Sequence, residues 1–117
     1  MTTAQMRYLY KIYEISTKKP AVLSADIARK LNVSKPSVVK MLAVLSEKQM
    51  VVKKRYGKVS ITPEGIAEAQ RYERNVAKIC GLIPRMGLEM SETELRETAC
   101  SLVSTLSEDT LSRLEAE

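Results

Sequence analysis

Ser24–Met50, SADIARKLNVSKPSVVKMLAVLSEKQM, is the stretch that decides the fold. Its spacing predicts two helices joined by a tight turn. In the first, Ser24 is placed to cap the start, and Ile27, Ala28 and Leu31 face inward at helical intervals. Ala28 is small enough to let a second helix cross closely. Asn32 is one of the few residue types that tolerate the left-handed backbone a tight turn needs, and Val33 fills the corner behind it. Ser34 caps the second helix, and Pro36 falls in its first turn, where the missing N–H costs nothing. Val38, Leu42 and Leu45 recur at i, i+4 and i+7 as the buried stripe, with Met41 beside it. Half a revolution away, Pro36, Lys40, Ala43 and Glu47 point outward, with Ser37 on the flank.

Two helices of this length cannot bury their apolar faces alone, so the flanking chain must complete the core. Upstream, Met6, Leu9, Ile12, Tyr13 and Ile15 predict a helix over 3–16, capped by Thr2 or Thr3 and ended by Lys18-Lys19-Pro20. Tyr8, Tyr10 and Tyr13 fit amphipathic packing better than base stacking. Downstream, MVVKKRYGKVSIT alternates Val59 and Ile61 against Lys58 and Ser60, with a turn at Gly57. A basic hairpin in that place is the wing of a winged helix. Thr62-Pro63-Glu64-Gly65 then opens a long helix over 63–83, with Ile66, Ala69, Tyr72 or Glu73, Val76, Ile79 or Cys80, and Ile83 on its apolar face. Ser91-Glu92-Thr93-Glu94 is a capping box for a helix over 92–106 with Leu95, Ala99, Leu102, Val103 and Leu106 inward. Ser107 caps a last helix over 108–116 carrying Leu111 and Leu114. The expected fold class is mainly α: a winged helix-turn-helix (α-α-α-β-β) over 1–62, then a helical dimerisation region over 63–117.

Composition narrows the function. The chain has 117 residues, 44% apolar and 28% charged, which is ordinary globular territory. No apolar run is long enough to span a membrane, and no leader marks export, so the expected location is the cytoplasm. Two cysteines, Cys80 and Cys100, make no disulfide framework. The absence of histidine removes His-based acid–base chemistry and the commonest transition-metal ligand. With no nucleophile elbow and no Gly-rich phosphate loop either, no enzyme is expected. Charge is divided unevenly. Residues 1–62 hold thirteen cations against three carboxylates, net +10, whereas 63–117 hold six against eleven, net −5. Such a division suggests that one end meets a polyanion.

A recognition helix offers its first residues to base edges, where lysine donates to guanine N7 and O6. The expected DNA-binding residues are therefore Ser34, Lys35, Pro36, Ser37 and Lys40 on that helix, with Lys53, Lys54, Arg55, Tyr56 and Lys58 on the wing. The two serines and the free N–H groups at the helix start are placed for phosphate. Double-stranded DNA and a second copy of the chain are the expected partners. The rival reading is a winged-helix protein-interaction adaptor. Such adaptors usually lose these cations, and here all are present.

In this order (helix, helix-turn-helix with Ser-x-Pro-Ser, wing, Thr-Pro-Glu-Gly helix, Ala-Cys helix) the chain resembles the diphtheria toxin repressor and manganese-transport regulator family. It resembles the short members that lack a C-terminal barrel. The resemblance implies a dimeric repressor on a palindromic operator, with base contact at Pro36 and Lys40 and backbone contact at Ser34, Ser37 and the wing cations. It also implies a Mn²⁺ or Fe²⁺ switch, and there the sequence departs from the family pattern. The family ligand positions match Arg74, Lys78, Cys100, Val103 and Ser104, of which only Cys100 can ligate. The metal site is expected to be lost, with Arg74 or Lys78 pairing with Glu94 or Glu97 instead. A thiol switch at Cys80 or Cys100 is the alternative, although both lie on apolar faces where cysteine is usually inert.

Overall fold

The computed structural model describes residues 1–116. In chain order it contains α1 (Thr3–Ser16), β1 (Val22–Leu23), α2 (Ser24–Leu31), α3 (Lys35–Glu47), β2 (Val51–Lys53), β3 (Lys58–Ile61), α4 (Pro63–Leu82), α5 (Glu92–Thr105) and α6 (Glu108–Ala116). Short 3-10 turns cover Arg55–Gly57 and Pro84–Met86. The chain forms two compact units, one from Met1 to Ala69 and one from Gln70 onward.

In the first unit, Thr2 begins α1 with a reciprocal cap. Its Oγ1 accepts from Gln5 N at 3.1 Å, and its own N–H donates to Gln5 Oε1 at 3.1 Å. Leu9, Ile12, Ile27, Val38, Leu45 and Val51 are wholly or almost wholly buried, so α1, α2, α3 and the sheet share one core. Tyr8 and Tyr10 are buried too, and the Tyr10 and Tyr13 rings sit 6.1 Å apart, in keeping with packing rather than stacking on a ligand. Asn32 takes the left-handed backbone, φ 54°, at the end of α2. Its N–H and that of Val33 close the turn onto Arg29 O and Ala28 O.

The sheet has one strand more than the sequence suggests. Its order is β1-β3-β2, antiparallel throughout, with Val22 opposite Val59 and Val51 opposite Ile61. Val22, Val51 and Val59 are buried while Leu23 and Val52 face out, the alternation of a half-buried sheet. The pairing of Leu23 with Lys58 keeps the chain extended up to the start of α2. Leu23, not Ser24, is therefore the N-cap, and it makes no side-chain capping bond. Ser24 is the first helical residue.

At the end of the wing the chain turns sharply into α4. Thr62 Oγ1 donates toward Gln49 O and Met50 O at 2.6 and 3.0 Å and accepts from Gly65 N at 2.9 Å. Gly65 packs so tightly that a Cβ there would collide with the Met50 carbonyl oxygen and the Ile61 side chain. The Thr-Pro-Glu-Gly start thus holds α4 against the strand before it.

In the second unit, Tyr72, Val76, Ile83, Ala99, Val103 and Leu111 are buried. Ser91 Oγ accepts from Glu94 N and Ser107 Oγ from Thr110 N, capping α5 and α6. Leu102, expected inward, is exposed. It follows Ser101 around the helix, and the buried contacts of α5 are made by Ala99 and Val103.

Candidate nucleic-acid interface

α3 presents its first turn outward. Ser34, with φ −75° and ψ 155°, caps it by accepting from Ser37 N at 3.3 Å, and the two hydroxyls lie 2.9 Å apart. Ser34, Lys35, Pro36, Ser37 and Lys40 are all exposed, while Val38, Leu42 and Leu45 anchor the opposite side. The first two turns of the helix therefore offer two hydroxyls and two ammonium groups, with the Lys35 N–H at the positive end, since Pro36 has no N–H and those of Ser37 and Val38 are bonded to Ser34.

The wing supplies the second half of the surface. Lys54 N–H donates to Lys58 O at 2.8 Å, closing a loop whose central residues Tyr56 and Gly57 have φ values of 62° and 72°. Gly57 adopts that backbone freely, whereas Tyr56 does so at a cost; the Tyr56 ring stands at the tip, 90% exposed. Lys53, Lys54, Arg55 and Lys58 are exposed around it. Among the described residues, no carboxylate pairs with Lys35, Lys40, Lys53, Lys54, Arg55 or Lys58. Six unpaired cations on two neighbouring elements are a surface for a polyanion.

Sequence patterning missed one residue of this surface. Val39 is 60% exposed on α3, between the anchor Val38 and Lys40. An exposed valine there can meet a thymine methyl group in the major groove. The signal was its spacing: four residues after Lys35 and four before half-buried Ala43, on the outer flank.

The family model "Iron dependent repressor, N-terminal DNA binding domain" matches residues 1–59, just over half of the chain. The chain belongs to the iron-dependent repressor family. Solved structures agree with that membership. The metal-dependent transcriptional regulator MtsR superposes with a TM-score of 0.79 at 27% identity, covering 99% of this chain and 54% of its own. The manganese regulator SloR gives 0.76 at 27%, covering 96% and 52%. IdeR of T. acidophilum gives 0.73 at 29%, covering 93% and 51%. The chain thus spans about half the length of these relatives. Comparison with curated proteins finds no match. No helix among the described residues is long and apolar enough to cross a membrane.

The relatives named for metals raise the question of whether this chain's residues fit one. Arg74 is exposed, and Lys78 gives its ammonium to the Leu114 carbonyl at 2.7 Å. Both are cationic, and neither can ligate a metal ion. Val103 is buried in the core and Ser104 is half-buried. Cys100 lies against Tyr72. Burial first, and then this thiol, push the tyrosine hydroxyl up to about 12. One thiol among cations is not the donor set of Mn²⁺ or Fe²⁺. Among the described residues there is no group of three or more His, Cys, Asp or Glu side chains able to hold a metal ion. The residues at these positions do not fit the family's metal.

An ionic link the sequence did not suggest joins two helices among the described residues. It is made by Arg71, which reaches Glu115 at 2.7 Å and Glu108 at 2.9 Å, both on α6. Buried Asn75 adds a bond to Glu115 at 3.4 Å.

Proposed function

We propose that this protein is a DNA-binding transcriptional repressor that binds a palindromic operator as a homodimer in the cytoplasm, without the divalent-metal switch of its relatives. Binding, not catalysis, is its role. Pro36 and Lys40 meet base edges, Ser34, Ser37 and Lys35 fix the helix start on phosphate, and Lys53, Lys54, Arg55, Tyr56 and Lys58 hold the adjoining backbone. The observation that carries this reading is the set of six unpaired cations shared by α3 and the wing, within the stretch matched by the family's DNA-binding domain. The same cations weigh against a protein-interaction adaptor.

The second unit supports the dimer. Leu82, Met86, Leu88 and Leu102 leave apolar surface exposed there, more than an isolated helical appendage needs. The misfit of Arg74 and Lys78 supports operator binding free of metal control. Selection of bound sequences from random duplex DNA, run in chelator and again in excess Mn²⁺, tests the reading. It is expected to return the same inverted repeat under both conditions. Recovery of a motif only with Mn²⁺ overturns the loss of the switch, and recovery of none under either condition overturns the repressor.

A further inference from the structure

Five cations of the first unit take no part in the proposed DNA face, and the fold gathers them into one place. Lys11, Lys18, Lys19, Arg29 and Lys30 line a cleft of about 200 Å³ formed by α1, the turn after it and α2. None of its lining residues belongs to α3, β2 or β3.

Only two carboxylates share the cleft, Glu14 and Asp26, so its net charge is +3. Glu14 is neutralised by Lys11 at 2.9 Å. Asp26 is buried, its side chain 7% exposed, and binds Lys19 Nζ at 3.1 Å and Arg29 Nη2 at 2.7 Å. One carboxylate thus holds two cations and leaves them with a surplus positive charge. It also holds their remaining N–H donors in place. Lys18 and Lys30 have no carboxylate partner among the described residues. Pinned cations lose less freedom on meeting an anion than free surface lysines do. The planar guanidinium of Arg29 suits the paired oxygens of a phosphoryl group, and Ile15 adds an apolar wall.

We propose that this cleft is a second anion site, which binds a small phosphate-bearing molecule of the nucleotide or phosphorylated-metabolite class. It goes beyond the DNA reading and does not rest on it. Lys18 and Lys30 supply the free charge, Arg29 and Lys19 the oriented donors, and Asp26 is a positioning residue that keeps those two in register.

The test uses inorganic tripolyphosphate, titrated into the full chain without DNA and followed by amide chemical shifts. Saturable shifts are expected over 11–19 and 26–30. The double variant Lys18→Ala, Lys30→Ala, altered only at exposed side chains, is expected to bind at least tenfold more weakly, about 1.4 kcal/mol. Absence of saturation at millimolar probe, equal binding by the double variant, or shifts centred on 34–40 and 53–58 would each overturn the site. A duplex arm separates a small anion from DNA backbone as the source of the phosphate. The double variant should bind duplex DNA as the unaltered chain does. A matching loss of duplex affinity with a shallower salt dependence would make these lysines backbone contacts and overturn the proposal. Failure of the unaltered chain to bind any duplex removes the repressor reading alone, because the tripolyphosphate titration contains no DNA.

Discussion

Lys40 and Lys54 are both exposed lysines, but their backbones give them different work. Lys40 projects from α3, six residues after the Ser34 cap, and in the proposed complex it reaches base edges in the major groove. Lys54 sits at the base of the wing loop, and in the proposed complex it meets the phosphate backbone. Lys40→Ala should therefore flatten base preference at one position of each half-site by about 1–3 kcal/mol. Lys54→Ala should weaken all duplexes alike and reduce the salt slope by about one. Competition binding with single-base operator variants at several salt concentrations checks both. Asn32 makes a stability claim at the same scale. With φ at 54°, Asn32→Val should cost about 1–2 kcal/mol in denaturant unfolding, while Asn32→Gly should cost much less. That left-handed turn was legible from residue type, because asparagine between two apolar helix ends has few other uses. Val39 was not. An apolar residue next to an anchor is assigned to the core unless helical phase is followed residue by residue.

Helices α1, α3 and α4 were legible as elements because each carries its own stop or start: a reciprocal cap at Thr2, Ser34 with Pro36, and Thr62 with Pro63. β1 was not, because two residues give no alternation, and its identity comes from a partner that lies more than thirty residues later, Val22 opposite Val59. Nor was the choice of ionic link. A cation on α4 can reach whichever helix lies opposite, and periodicity does not say that Arg71 faces α6 rather than α5. The α4–α6 clamp makes an element-level prediction. The hydrogen bond from Arg71, helped by Asn75, holds the Glu115 carboxyl below the usual carboxylate range. A lowered folded-state value means that the clamp's contribution is complete above the unfolded glutamate value of about 4.3. It is lost as pH falls below that value toward the folded one. The protection of the α6 amides, meaning exchange measured against the unstructured-chain rate at the same pH, should therefore fall severalfold as the solution is acidified through that window. Arg71→Met should show the lower protection already at neutral pH and little further change. At the corner before α4, Gly65→Ala should cost about 1–3 kcal/mol, because the Met50 carbonyl oxygen cannot yield as a side-chain tip would.

Over the whole molecule, the charge division legible in the sequence is a claim about association. The basic stretch 1–62 carries +10 and the remainder −5, so attraction to a polyanion is concentrated in one half. If two copies each engage between three and six phosphates, counterion release predicts a fall of log affinity with log salt of slope roughly −5 to −11. A single copy should give roughly half that, and a protein-interaction adaptor close to zero. Stoichiometry removes the ambiguity between a dimer making few contacts and a monomer making many. In sedimentation equilibrium the free chain should reach twice the 13.1 kDa of one subunit at micromolar concentration. Binding to a duplex with two half-sites about one helical turn apart should then proceed in one step, and a single half-site should bind far more weakly. Substituting Met86, the most exposed apolar side chain of the second unit after Gln70, with lysine should shift the free chain toward monomer. It should cut two-site affinity while leaving single half-site binding unchanged. Equal affinity for one and two half-sites in the unaltered chain would mean that two copies do not act together, and the operator would not need to be an inverted repeat.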